Sequence, residues 1–456
     1  MIGVTREPKR ERHMNRFALT AICAIALTPA LWAAEGTVLR KDGSTTPFRS
    51  IEAETLSGIE WKDANRQPGS RIDIWDVEQV RYTLNGMDQF NGLTKKLQAG
   101  RGDALEKDAQ GYLDNPPKGL TDEGDKLRVK LCSLYFVARG KLLQGMFADA
   151  AVSFLAYLKE AEAASALGPN KPNIPSNPVR GVAFASPTGA AVKEAGALHR
   201  LYLDALEGLG DALARDGKND EAFSKGYGKL EELTLALNAK SARAEYIDWS
   251  IRALRAAGAL AESSKDGVKR AREIYEKLSS AALKRNGGRP SRDSIQASLK
   301  VGFLLVQEGN PTGAQSRFSA PIREWEAEQK SVKSPPKNNW ITQDAAYQVC
   351  GSYLGMGMVR SANAKTSEDW ALALQSYSNS LSVFAGDADF RSLALLGAAN
   401  ACVEMAKLTK DKEVAKRHAE SAERYMFELR TTLGNSNAAN DPKVAEITKA
   451  VDRYKS

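Results

Sequence analysis

The sequence predicts a mainly α chain: a stack of helical hairpins behind a small all-β module, with a cleavable leader in front. Three observations predict it. Hydrophobic residues make up 43% of the chain but aromatics only 7%, and much of the apolar content is Ala and Leu, which favours helix over sheet. Residues 36–83 alternate apolar and polar side chains between closely spaced turns, the period of half-buried strands. From about residue 86 the period becomes helical, and short breaks recur, most carrying Gly: LLQGMF, ARDGKN, SSKDGV, VQEGNP.

The leader comes first. Arg16 precedes the apolar run FALTAICAIALTPALWA, which exits through small residues before Glu35. A positive start, a short apolar stretch and a small-residue exit describe a secretory signal over residues 1–34, too short to span a bilayer. Met14 is a plausible start, and cleavage is expected after Ala33 or Ala34. Ile22 before Cys23 argues against a lipid-modified cysteine. The expected product is exported, to the periplasm or beyond the cell. Processing removes five basic and two acidic residues, so a net charge of +8 falls to +5. Basic residues are interspersed with acidic ones, as in KLTKDKEVAKRHAE, and a nucleic-acid binder would gather them on one face.

Within residues 36–83, GTVLRKDGSTTPF reads as a strand, a Lys-Asp-Gly turn and more extended chain. SIEAETLSGIEWKD adds two short strands around Ser57-Gly58. In RIDIWDVEQVRY, Ile72 and Ile74 alternate with polar neighbours, as do Val80 and Tyr82, which predicts two strands joined by a DVEQ turn. The pattern resembles small SH3-like or Sm-like barrels. Trp61 and Trp75 are its candidate surface residues; packing of the module against helices would employ the same side chains.

Helical hairpins explain an odd spacing in LKVGFLLVQEGNPTGAQSRFSA. Gly302 would let a second helix approach, Gly309 would end the first, and Pro311 would open the second, where its missing N–H costs nothing. Ala314 would let the backbones pack, and Phe318 would fill the gap. The spacing recurs as Ala138, Gly145, Ala150 and Phe154, and as Gly210, Gly217 and Ala222, with the aromatic displaced to Tyr227. Weaker copies run through Ala259, Ala271 and Tyr275, through Ala373 and Tyr377, and from Leu396-Gly397. These residues resemble the tetratricopeptide repeat family over about residues 86–432, with the array expected to run to residue 456. The resemblance implies an α-solenoid of about seven hairpins that binds peptides or protein segments along a concave surface. Departures are visible: no copy carries the whole signature, and copies are spaced more widely than the family's repeat.

Two inserts interrupt the array. Residues 167–191 contain a cluster of prolines and 329–340 a shorter one, so neither continues a helix. They either fold over a face of the array or move freely.

Chemistry is hard to place on this chain. His199 and His418 are the histidines outside the leader, in separate helical segments, and no HExxH, paired-Cys, GxSxG or phosphate-loop motif occurs. The glycines of GLGDAL and GMGMVR lack the strand and third glycine of a dinucleotide loop. His199 is expected to be a satisfied, partly buried helix residue. Cys132, Cys350 and Cys402 each sit in apolar helical sequence and are expected to be buried thiols, with Cys350–Cys402 the pairing to check. No cofactor or metal is implied.

The leading expectation is therefore a non-enzymatic, exported scaffold for a protein or peptide. A competing one makes the β module a cell-wall or saccharide anchor and the helices a spacer; an enzyme built from the two inserts is a third. Asp204, Glu207 and Asp211 lie three and four residues apart on one side of a helix, on the face that lines the groove in the resembled family. Arg200 and Arg215, each four residues away, could neutralise the ends of this stripe as ordinary surface pairs. A basic partner segment could relieve its interior, where like charges adjoin.

Overall fold

The computed structural model describes residues 35–167, 198–241, 243–264, 267–330, 343–383 and 386–455. The leader and the bulk of both inserts lie outside them. Five short strands open the chain: β1 (Gly36–Arg40), β2 (Thr45–Phe48), β3 (Ser50–Glu54), β4 (Ile59–Lys62) and β5 (Val77–Tyr82). They form two small antiparallel sheets, β2-β1-β5 and β3-β4, with Val38 opposite Val80. Val38, Phe48, Ile51, Ile59, Val80 and Tyr82 are buried, the inner half of the alternation. One detail differs from expectation. The turn before the last strand is a 3-10 turn at Ile74–Asp76, and DVEQ belongs mostly to β5. Asp73 decides this by capping the turn, its carboxylate accepting from the Trp75 N–H at 3.0 Å.

Fifteen helices follow among the described residues. They are α1 (Asp88–Gln98), α2 (Gly102–Asp114), α3 (Glu123–Leu143), α4 (Phe147–Leu167) and α5 (Tyr202–Arg215). Next is α6, in which Asn219–Glu221 and Gly228–Ser241 are joined through a π-helical turn at Ala222–Tyr227. Then come α7 (Ala244–Glu262), α8 (Val268–Arg285), α9 (Arg292–Gln307), α10 (Pro311–Lys330) and α11 (Gln343–Asn363). The last are α12 (Ser367–Val383), α13 (Ala388–Leu408), α14 (Lys412–Leu433) and α15 (Lys443–Lys455). Sequential helices pack in pairs, giving seven hairpins and a closing helix. This is the helical-hairpin solenoid with its N-terminal β module.

Small residues and aromatics set the hairpin register. At Gly302 a Cβ would stand 2.4 Å from the Phe318 ring, and at Gly210 2.5 Å from Tyr227, so the aromatic of the second helix occupies the glycine's missing side chain. Ala138, Ala150, Ala222, Ala271, Ala314 and Ala373 are fully buried at the crossings. Gly145, Gly217 and Gly309 end their helices at φ +77°, +77° and +76°, the left-handed conformation glycine tolerates.

Two repeat copies depart from the sequence reading. The aromatic of the second copy falls one residue late because α6 takes an extra residue into its π turn, which swings Tyr227 onto Gly210. In the third copy the close-packing residue is Gly258, against Tyr275, and Ala259 beside it is exposed.

The β module and the first nine helices share one hydrophobic core, running from Val38 to Leu304. Tyr82 meets Phe48 and Phe90 edge-on, and Phe90 meets Tyr112. Asn91 locks the junction, accepting from the Tyr82 N–H at 2.9 Å and donating to the Tyr82 carbonyl at 2.7 Å.

A candidate partner-binding face

The acidic stripe of α5 is assembled as expected but neutralised differently. Asp204, Glu207 and Asp211 share one half-buried side of the helix. Asp204 accepts from the Tyr135 hydroxyl of α3, with Arg139 at 3.8 Å. Glu207 pairs with Arg252 of α7 at 3.0 Å, and Asp211 accepts from the Tyr227 hydroxyl of α6 at 2.7 Å. The expected partners along the helix are committed elsewhere: Arg200 to Glu54 and Arg215 to the face of Phe147. Neighbouring helices stand closer to these carboxylates than the next turn's flexible side chains, so tertiary partners replace local ones. Burial, aided by Asp204 and Asp211, pushes the Glu207 carboxyl up to about 7 against the pull of Arg252.

The ladder continues along the first helices of successive hairpins. Arg255 of α7 pairs with Asp293 of α9, and Arg292 of α9 reaches Asp344 of α11 at 3.3 Å. Two of these arginines also lie over aromatic faces, Arg252 over Trp249 at 3.6 Å and Arg292 over Tyr347 at 3.4 Å. Partly exposed pairs contribute little stability each, at most about 1 kcal/mol, but they fix the orientation of the side chains along this face.

Where the β module meets this face there is a cleft of about 610 Å³. Lys41 and Trp75 line it from the module, Glu245, Trp249 and Arg252 from α7, and Asn286 from the end of α8. Trp75 is positioned by its capped turn and by Tyr246, which it meets edge-on at 5.6 Å. Arg243 clamps the same turn through Asp73. Trp61 is placed differently: half-buried, it lies over Gly69 and donates to the Ser70 carbonyl at 3.0 Å. The two indoles thus have separate neighbours, and Trp249 is the one that shares a cleft with Trp75. Sequence reasoning missed Trp249, Arg252 and Lys41. The segment AEYIDWSIRALRAA shows Trp249 and Arg252 three residues apart on one helix face, a signal without a partner until the β module is placed.

A buried charge cluster also joins the β module to the helices. Glu54 of β3 pairs with Arg128 of α3, and Arg200 Nε lies 3.1 Å away from the other carboxylate oxygen. Burial alone would raise the Glu54 carboxyl, but the two guanidiniums hold it at about 2. His199 joins the cluster and corrects its expected place: it precedes α5 and is fully buried, with Nδ1 2.9 Å from the Tyr157 hydroxyl. Burial lowers its imidazole to about 4 against the opposing pull of Glu54. Asp125, accepting from Tyr82 at 2.7 Å and from the Ile51 N–H, is pushed by burial up to about 7. Glu54, Arg128, His199 and Asp125 are enclosed by protein, and the cluster ties the module to α3 and to the segment just ahead of α5.

Cys132, Cys350 and Cys402 are buried and none is in a disulfide, so the Cys350–Cys402 bridge is not formed; Cys350 Sγ contacts Ser380 at 3.4 Å. Among the described residues no group of His, Cys, Asp and Glu is placed to hold a metal ion. No helix among them is long and apolar enough to cross a membrane.

No family model matches this sequence, and no curated relative does. Among solved structures, one similar chain is a tetratricopeptide repeat protein from Parabacteroides merdae ATCC 43184, at 13% identity and a TM-score of 0.35. The match covers 80% of this chain and 98% of that one. The fold assignment rests on the hairpins themselves.

Proposed function

We propose that this protein is an exported, non-enzymatic scaffold that binds a peptide or protein segment along the laddered face, with the Trp75–Trp249 cleft as the anchoring point. The observation that carries the reading is the cleft itself. It joins two indoles, which are favoured anchors in interfaces, to unlike charges at the meeting of two structural units. Export rests on the signal-like residues 1–34, and the SH3-like character of the module belongs to the same proposal. Photo-cross-linking from position 41 in the native envelope tests it: protein captured by the wild-type background should be lost with Trp249→Ala. Capture that persists unchanged in that variant overturns the anchor.

A second reading has one observation in its favour. Two indoles beside paired Arg and Asp groups, such as Arg285–Asp248 at 2.6 Å, also suit the faces and hydroxyls of a sugar ring. Retention of the purified protein on isolated cell-wall material, lost with Trp249→Ala, would favour it over the peptide.

A further inference from the structure

We infer, resting on the peptide reading of the laddered face, that the groove continues past the indoles into a second cleft, where the bound segment seats a Lys or Arg side chain. Arg255 and Asp293, an ion pair of the ladder, line both clefts, so the two adjoin across one shared wall. The second cleft has a volume of about 330 Å³ and lies among α7, α8, α9, α11 and α13. Its floor is apolar: Leu299 and Phe390 are buried, and Phe303 meets Phe390 edge-on at 6.0 Å. Its rim is reachable from solvent, with Leu393 42% exposed and Asp389 exposed one turn before it.

Charge decides what this cleft takes. Both cations of its lining are already matched, Arg255 by Asp293 and Lys300 by Glu262 at 2.8 Å. Asp387 caps α13, its carboxylate accepting from the Phe390 N–H at 2.9 Å. The Asp389 carboxylate has no hydrogen-bond or ion-pair partner among the described residues, so the lining keeps an excess of negative charge. Ser392 and Leu393 occupy the positions along α13 from which a local cation would neutralise it. Asp389 and Leu393 are four residues apart and stand on the same side of the helix. An exposed leucine one turn from an unmatched carboxylate fits a Lys or Arg side chain, whose methylene stem packs on apolar surface while its charged end meets the anion. An acidic segment would bring like charges together, and a purely apolar one would cover Asp389 without pairing it.

The test is calorimetric titration of the purified full chain with acetylated peptide amides that carry a Trp, a Gly/Ser spacer of graded length and a Lys, norleucine or Glu, in both chain directions. At the best spacer the Lys peptide should bind roughly three- to fivefold more tightly than the norleucine peptide, which keeps the stem without the charge. The Glu peptide should bind worst. Asp389→Asn should bring Lys and norleucine together, and Leu393→Ser should weaken both; circular dichroism establishes that each variant is folded. No preference for Lys in the wild type, the same preference in Asp389→Asn, or no binding of any peptide overturns the inference. Lysine amide alone binding as tightly as the best peptide would make the cleft an isolated cation site, and that also overturns it. Trp249→Ala should weaken all three peptides alike and keep their order, so a failed indole anchor and a failed second cleft are told apart.

Discussion

The ring of Phe318 stands where the side chain of residue 302 would be: a Cβ on Gly302 would lie 2.4 Å from its Cζ. The same ring faces Gly355 of the next hairpin, where a Cβ would lie 2.3 Å away. One aromatic thus joins two repeats, and Tyr377 does likewise between Gly357 and Gly397. The array is held by aromatics seated against glycines, and a methyl group at either glycine displaces a fully buried ring.

Gly302→Ala is therefore expected to destabilise by about 1–3 kcal/mol, as overpacking does, despite the higher helix propensity of Ala. Ala314→Leu, at a fully buried crossing in the same hairpin, should cost a similar amount. Thermal melts followed by circular dichroism check both, and an unchanged midpoint for either rules out the seated-ring account of this hairpin.

Glu54→Gln should be among the most damaging single changes, because it leaves Arg128 and Arg200 near an uncompensated site; about 3–5 kcal/mol is expected. The acid limb carries the same signature. The Glu54 carboxyl is lowered from 4.5 to about 2, so its contribution is complete above pH 4.5 and disappears as pH falls through 2. Denaturant titrations at stepped pH should find that loss in the wild type and not in Glu54→Gln.

Between pH 4 and 7 His199 pulls one way, and two carboxyls, Asp125 and Glu207, pull the other. His199, lowered from 6.5 to about 4, makes the fold less stable as pH falls across that interval, since the unfolded chain takes the proton first. Asp125, raised from 3.8 to about 7, makes it less stable as pH rises, because the native state holds its proton longer. Glu207, raised from 4.5 to about 7, acts as Asp125 does, so wild-type stability should fall as pH rises through this interval. Asp125→Asn, which retains an acceptor for Tyr82, combined with Glu207→Gln removes both carboxyl effects, so the stability of that double variant should climb with pH between 4 and 6.5. A profile in that variant still parallel to the wild type would refute the opposition.

All three described cysteines should resist alkylation in the native protein and react after denaturation. Burial pushes the Cys132 thiol up to about 11 and the Cys402 thiol up to about 12, so almost no thiolate is present near neutral pH. Mass spectrometry of native, iodoacetamide-treated protein should find no adduct at these positions.

The acidic stripe needs gentler variants than charge reversal. Asp204 and Asp211 accept from the buried ends of Tyr135 and Tyr227, so Asp204→Lys and Asp211→Lys each strand a hydroxyl and should cost about 1–3 kcal/mol. Glu207→Gln, at a carboxyl already pushed up to about 7, should be close to neutral at pH 7 and below. Chemical denaturation of the three single variants at pH 6.5 distinguishes them; equal losses at all three positions would show that the hydroxyl contacts carry no weight.

By itself the sequence determined the hairpins, their breaks and the strands ahead of them. These depend on periods, glycine at helix ends and small residues at crossings, all of which act within a few turns of chain. It also placed Asp204, Glu207 and Asp211 on one side of α5, since helical spacing alone requires that. What pairs with them was decided in three dimensions. Arg252 and Tyr135 lie 45 and 69 residues away from Glu207 and Asp204, and no local pattern couples such positions. The choice of Gly258 over Ala259, the π turn behind Tyr227, and the meeting of Trp75 with Tyr246 were settled by packing between elements. Side chains at these places take whichever neighbour best fills the available volume, and that volume exists only after the β module and α3 close over Glu54.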